Sequence, residues 1–433
     1  MRLPRLRLTR KIGIALALCL SLAEMLFWTD FVFAYRNSGY GAGAKPAWGL
    51  DLASEEQKDE IAALATDVGI QIDRRDGVAV LADLRAQGID AVPAVGLGGI
   101  VAGKLLPRST ESATSEELMP LGGISKVRTV QCNESGQYVT YESDEHGFRN
   151  PKGIWDSPRA DIAAVGESFV GGFCVPVGRG FVDLLRAKYP VTLNLGTSGQ
   201  SALLQLAAIK EYLPPYAPRI VLWIFCEGID LDDLQDEAKQ PLLMRYLEPS
   251  FNQHLLGRQS DVDHALRQYA TGEEARQRQL MHRHFSTGPF TDGWRGTVRL
   301  WHLREELNLG YGIGTGRIQS NTPSKTMLTL FTESVAQAKT VTRSYGGELY
   351  FVYLPASIRF RDGPRAANRE RAQVIGAVKA LGVPVMDIVP AFEANEDPLS
   401  LFPYRRCGHY NERGNAVVAD AILRFLSAAQ YSR

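Results

Sequence analysis

From residue 160 to the C-terminus the chain alternates short apolar runs with helix-spaced patterns, and this alternation constrains its fold more than any other feature. Short apolar runs separated by helical patterns are what a parallel sheet with crossover helices requires. Strands are expected at Ile162–Val165, Val191–Leu195, Ile220–Phe225, Leu349–Leu354 and Val383–Asp387. Helices fit between and after them at 179–189, 201–213, 325–344, 367–381 and 412–428. Between the third and fourth strands lies a stretch of about 236–320, rich in Arg, Gln and His. It is far longer than a crossover needs and is expected to be an inserted helical cap.

Upstream of the sheet the pattern is looser. Residues 36–50 are rich in Gly, Ala and Pro and read as a linker. From 54 to 106 apolar residues recur at helical spacings (Ile61, Leu64, Val68; Val78, Leu81, Leu84). Val127–Gln131 and Tyr138–Tyr141 flank Asn133-Glu134-Ser135-Gly136, which suggests a hairpin. The expected organisation is therefore residues 1–35, an accessory α+β region over 36–159, and a sheet domain over 160–433 carrying the insertion.

The N-terminal segment places the chain. Arg2, Arg5, Arg7, Arg10 and Lys11 are the only charges in the first 11 residues, and the apolar run Ile12–Trp28 follows, interrupted by Glu24. Seventeen helical residues span about 25 Å, close to the hydrocarbon thickness of a bilayer. Cations ahead of such a run hold that end in the cytoplasm. A single-pass transmembrane helix in the bacterial inner membrane is expected, with an extracytoplasmic, periplasmic body. A cleaved signal peptide ending at Val32-Phe33-Ala34 is the alternative. In such a compartment Cys132 and Cys174 can pair.

Composition excludes other classes. Lys+Arg and Asp+Glu each number 48, so formal net charge is zero. A general nucleic-acid binder needs a basic surplus, so no nucleic-acid partner is expected. Five cysteines do not make a disulfide scaffold.

Ligands of open parallel sheets bind at the carboxyl ends of the strands. Four segments fall there. Gly166-Glu167-Ser168-Phe169 follows the first strand, and a serine in that turn is either a nucleophile or a cap. It is not the α/β-hydrolase elbow, because Val170 stands where that motif needs glycine. Asn194-Leu195-Gly196-Thr197-Ser198-Gly199 ends the second strand, where a glycine N–H can approach an oxyanion. Glu227-Gly228-Ile229-Asp230 ends the third. Gly408-His409-Tyr410-Asn411 opens the last helix, and histidine there can serve as general base to Ser168. His146 lies before the sheet. His254, His264, His282, His284 and His302 fall in the polar insertion and read as solvated. The His282/His284 pair lacks carboxylate or cysteine company, so no metal and no cofactor are expected.

Together these blocks resemble the SGNH (GDSL-like) hydrolase superfamily of esterases, acyl hydrolases and some polysaccharide O-acetyltransferases, over about 160–235 and 345–428. The resemblance implies a three-layer α/β/α, flavodoxin-like fold. It implies Ser168 as nucleophile, His409 as base, and the N–H groups of Ser168 and Gly199 as oxyanion hole. Asp144-Glu-His-Gly-Phe-Arg-Asn-Pro151 is similar to the segment before the sheet in membrane-anchored bacterial members. The implied substrate is an acylated glycan of the envelope, or a small ester. Three positions depart from the pattern. Glu167 replaces an Asp. Ile229 replaces an Asn that donates to the oxyanion, a loss typically worth about 10²–10³ in rate. Arg406 or Cys407 stands where the family has the Asp that orients the histidine. Asp230 or Asp387 is expected to substitute. A domain that binds glycan or protein without turnover is the second reading.

Overall fold

The computed structural model describes residues 71–101, 118–286, 324–361, 365–405 and 408–431, and positions 22, 24–26, 62, 65 and 66. The chain divides into two compact units. One comprises 47–51, 59–275 and 317–433 and holds both sheets. The other comprises 1–46, 52–58 and 276–316, and its described residues are helical backbone at Leu22 and Glu24–Leu26 and the last turns of a helix ending at Ser286.

Among the described residues the elements run α1 (Gly77–Ala86), β1 (Ala91–Pro93), α2 (Leu97–Val101), β2 (Arg128–Val130), β3 (Thr140–Glu142), β4 (Ile162–Val165), α3 (Phe181–Leu185), β5 (Thr192–Asn194), α4 (Ala202–Tyr212), β6 (Ile220–Cys226), α5 (Asp230–Glu237), α6 (Gln259–Ser286), α7 (Lys325–Ser344), β7 (Glu348–Leu354), α8 (Arg365–Ala380), β8 (Val385–Asp387) and α9 (Glu412–Tyr431), with short helical turns between. The larger sheet is five-stranded and wholly parallel, in the order β5-β4-β6-β7-β8. Its residues alternate between two cores. Ala163, Val165, Trp223, Phe225, Phe351 and Tyr353 pack with α4, α7 and α8. Ile162, Ala164, Ile224, Val352 and Met386 pack with α3 and α9. This is the expected three-layer α/β/α arrangement. The first of its strands in chain order lies between the second and the third, which puts the topological switch point at the end of β4.

The expected strands appear within two residues of their bounds. The 179–189 helix is shorter, because Gly180 precedes Phe181 and the chain leaves the helix at Arg186. Helix α4 is buried along its whole length. The insertion covers its outer face: Glu211 accepts from Tyr246 Oη (2.6 Å) and from the amide of Leu255 (2.9 Å), and Lys210 donates to the carbonyl of Tyr246 (3.0 Å). A helix buried on all sides needs such a cover, and its buried polar ends need these partners. Residues 287–323 lie outside the described residues, as do the side chains of His282, His284 and His302.

The smaller sheet is β1-β2-β3, parallel then antiparallel. The hairpin forms as expected, whereas β1 falls inside a stretch that read as helical. Its three residues are all buried beside β2, so pairing overrode a weak helical period. The segment that follows the hairpin braces the larger sheet. Asp144 accepts from the amides of His146 and Phe148 (2.8 Å each), from Asn150 (2.8 Å) and from Trp155 (2.7 Å). Asn150 bonds both polar backbone groups of Asn194 in β5 (2.8 and 2.9 Å). Arg149 donates to the carbonyls of Val175 (2.7 Å) and Gly172.

Among the described residues no helix is long and apolar enough to cross a membrane. The expected span 12–28 falls outside the described residues except at Leu22 and Glu24–Leu26.

Gly147 has φ +80° and lies so close to the next loop that a Cβ there would meet the Gly123 carbonyl at 1.9 Å. Gly147→Ala should therefore lower the unfolding free energy by about 1–3 kcal/mol, read by urea titration. A loss below about 0.5 kcal/mol would mean this junction gives way freely.

Candidate active site

Ser168 sits in the tight turn after β4, 5% exposed. Glycine is required before and beside that turn. Gly166 has φ +158°, and a Cβ on Gly196 would meet the amide of Gly171 at 2.4 Å. Asn194 couples the two loops, donating to the Val170 carbonyl (2.8 Å) and accepting from the Gly196 amide (2.9 Å).

His409 reaches this turn from the start of α9. Asn411 caps that helix by accepting from the Gly414 amide (3.0 Å), and the Tyr410 hydroxyl donates to the Pro355 carbonyl (2.6 Å). The cap and the buried Tyr410 fix the ring between them. Phe169 and Phe173 lie against the imidazole, with centroids at 4.9 and 5.2 Å. Its Nε2 is 2.7 Å from Ser168 Oγ. The fold thus closes a gap of 241 residues.

The other ring nitrogen meets an acid that the sequence reading did not select. Glu134, in the turn of the β2–β3 hairpin, places both carboxylate oxygens 3.0 Å from His409 Nδ1. The same carboxylate accepts from the His409 amide at 3.0 Å. Beside an acceptor-only carboxylate Nδ1 carries the proton, so Nε2 is left to accept from the serine hydroxyl. A Cβ on Gly408, which has φ +142°, would stand 2.8 Å from Glu134 Oε2. Glycine there makes room for the acid. Both partners are half-buried, with side-chain exposures of 18% for His409 and 25% for Glu134.

The two carboxylates expected to orient His409 are engaged elsewhere. Asp387 accepts from Arg371 (2.8 Å) and from the Val389 amide (3.1 Å). Asp230 is buried at the start of α5, where it accepts from Gln205 (3.0 Å) and from the Cys226 amide. Burial, and after it the charge of Glu167, push Asp230 well above the usual carboxylate range. Glu167 is buried beside it and bonds the Cys226 thiol, whose pKa burial raises. Arg406 and Cys407 lie outside the described residues.

The remaining blocks are held by buried charge. Glu227 accepts from Tyr353 Oη (2.9 Å) and from Arg359 Nε (3.0 Å), which ties the ends of β6 and β7. Ile229 packs into the second core and offers no side-chain donor. Gly199 has φ +74°, and a Cβ there would lie 2.5 Å from the Gly98 amide, so close approach to α2 also demands glycine. Glu237 caps α4 through the amides of Ser201 (2.6 Å) and Leu203 (2.8 Å).

Cys132 and Cys174 form a disulfide. Among the described residues one group has metal-ligand spacing, Glu134, Cys174 and His409, with ligating atoms within 4.8 Å of one another. Zinc takes cysteine as thiolate, and this sulfur is committed to Cys132. His254 and His264 are exposed, and His146 packs edge-on against Trp155 at 4.8 Å.

Burial raises Glu237 to about 8 and Glu370, which accepts from the Gly228 amide at 2.9 Å, to about 7. Both titrate at 4.5 when unperturbed, so the folded chain holds more protons between those limits. The contribution of these two groups to stability is full below about 4.5 and is lost as pH rises toward 8. Urea midpoints should fall over that range, and Glu370→Gln, which keeps the acceptor oxygen, should flatten the decline around neutral pH. An identical slope in the variant would contradict the assignment.

No protein-family model matches the sequence, and no curated protein matches it. Solved structures similar to it include a member of the lipolytic G-D-S-L family from Veillonella parvula DSM 2008, at 16% identity over 61% of this chain and 96% of that one, with a TM-score of 0.32. Another is a two-domain esterase active on acetylated mannans, at 13% identity over 64% of this chain and 50% of that one, with a TM-score of 0.31. A third is a psychrotrophic esterase from Pseudoalteromonas sp., at 11% identity over 63% and 99%, with a TM-score of 0.30. The wholly parallel order β5-β4-β6-β7-β8 with helices on both faces is a three-layer α/β/α fold, and the four residue blocks lie at the carboxyl rim of its sheet or at the start of α9.

Proposed function

We propose that this chain is a serine acyl hydrolase or O-acyltransferase in which Ser168, His409 and Glu134 act as a triad. The observation that carries the reading is the continuous contact from the Ser168 hydroxyl through both ring nitrogens of His409 to the Glu134 carboxylate. Ser168 Oγ attacks the ester carbonyl while His409 Nε2 takes its proton. Glu134 stabilises the imidazolium that results. The Ser168 and Gly199 N–H groups are the proposed oxyanion donors. When the tetrahedral intermediate collapses, His409 returns the proton to the leaving alkoxide. Water then deacylates the serine in a hydrolase, and a sugar hydroxyl does so in a transferase, His409 again acting as base.

The substrate proposed is an ester-linked acyl group, acetyl among them, on an envelope or exported glycan. The supporting argument is position. Five cations ahead of an apolar run orient a membrane anchor, and Leu22 and Met25 in that run are exposed. A disulfide suits a body outside the cytoplasm. The reading as a binding module without turnover drew on two departures. Glu134 stands in for the absent Asp, so that reading keeps only Ile229, for which rate rather than mechanism is at stake.

Ser168→Ala should abolish hydrolysis of p-nitrophenyl acetate and labelling by a fluorophosphonate. Glu134→Gln should lower kcat by about 10²–10⁴-fold with KM little changed. Gly408→Ala should lower kcat in the same direction, because its methyl displaces the Glu134 carboxylate. Wild-type protein that neither turns over the ester nor takes the label sinks the triad reading. Transfer of acetyl to a glycan acceptor, followed by mass spectrometry, separates transferase from hydrolase.

A further inference from the structure

We infer that the Cys132–Cys174 disulfide is a positioning element of the active site, a covalent strap that holds Glu134 on His409. The inference rests on the triad reading and goes beyond it, because it says why the acid stays in place.

An acid two or three residues before His409 would ride on the same turn as the imidazole. This acid is 275 residues away in sequence and belongs to a different sheet. Its distance to the ring is therefore not set by the strands that place Ser168. It depends on whatever fastens the hairpin turn to the nucleophile loop. Cys132 is two residues before Glu134 and pairs across the hairpin with Val139 (3.0 Å). Cys174 is six residues after Ser168 and directly follows Phe173, whose ring lies against His409. The disulfide consequently joins the loop of the acid to the loop of the nucleophile, within 4.8 Å of the His409–Glu134 contact.

The polar contacts around it are few. Ser135 donates to the Cys174 carbonyl at 3.2 Å, and Asn133 donates to the Asp73 carbonyl, away from the site. Cys174 has φ +57°, an uncommon conformation for a residue with a side chain, which the loop must hold in place. Both cysteines are buried, so the strap runs through packed interior. Besides the disulfide and the Glu134–His409 contact, the hairpin is held to the nucleophile loop by the Ser135 bond and by Arg149, which donates to Gln131 (3.2 Å) and to the carbonyls of Gly172 and Val175, at a distance from Glu134. Displacement of a positioned group by even about 1 Å can cost on the order of 10² in rate.

A double-mutant cycle tests this on the full chain. Cys132→Ser with Cys174→Ser should lower kcat for p-nitrophenyl acetate by about tenfold or more, with KM within about twofold. In a Glu134→Gln background the same pair should cost less than about twofold, because the contact it protects is already gone. Proton NMR gives a readout independent of turnover. The low-field resonance of an imidazole N–H bonded to a carboxylate should be present in the wild type and lost in both Glu134→Gln and the cysteine pair. Should the serine pair fail to fold, Cys132→Val with Cys174→Ala refills the buried volume. The wild-type chain made in reducing and oxidising host compartments, its thiols counted by alkylation, also supplies both covalent states. Equal losses of kcat in the two backgrounds, an unchanged kcat, or a low-field resonance that persists in folded protein without the disulfide would overturn the inference. Wild-type protein with the resonance but no turnover and no fluorophosphonate labelling would fail the function and leave the strap standing.

Discussion

The imidazole of His409 is the joint on which this architecture turns. One nitrogen faces Ser168 from the parallel sheet, and the other faces Glu134 from the small sheet. Neither contact is local. Each needs a loop to arrive at a stated place, and most of the polar structure around the site serves that need. Asn150 and Asn194 tie the two block loops together, Arg149 fastens the stretch after Ser168, and Asn411 with Tyr410 fixes the start of α9. A buried polar group left without its partner costs about 1–3 kcal/mol, so these bonds specify one arrangement as well as stabilising it.

What was legible in the sequence follows from the range of the forces involved. Strands β4 to β8 were readable because burial on both faces demands apolar runs, which a linear pattern records. Ser168 and His409 were readable because a strand end, a glycine and a polar residue coincide in one short segment. The segment 144–151 carries a recognisable similarity to known sequences, but its physical task lies in the bonds of Asp144 and Asn150 at a loop junction, which no linear pattern records. Glu134 was not legible. A glutamate in a hairpin turn reads as solvated, and nothing in its neighbourhood signals a partner 275 residues away. The one available hint was Gly408, where a positive φ and a close approach demand an absent side chain. Without the fold, however, a glycine does not say what it makes room for.

Asp230 and Asp387 illustrate the opposite error. Both sit near strand ends on the right rim, which is where spacing alone would put an orienting acid. Each is taken by a nearer demand, Asp230 by the β6–α5 turn and Asp387 by Arg371. The third block follows the same logic. Glu227 is spent on a buried pair with Arg359, in which both side chains are at most 1% exposed. Such a pair contributes little net stability, yet removing either partner strands a charge in the interior. With the Tyr353 bond it ties the end of β6 to β7 and to the short helical turn after it, a structural duty for a segment at the carboxyl rim of the sheet.

The small sheet thereby changes its standing. Had it been an appended module, its removal would leave a complete site on the parallel sheet. It belongs instead to the same compact unit, delivers the acid, and is joined to the nucleophile loop by a disulfide. On the proposed triad, a site whose base and nucleophile belong to one sheet and whose acid belongs to another can lose the acid through movement between sheets while its fold persists. Arg149, Asn150 and the disulfide all cross that same boundary. Their placement is what the His409–Glu134 contact needs, because its carboxylate stands on the small sheet's hairpin and not on the turn that carries the histidine.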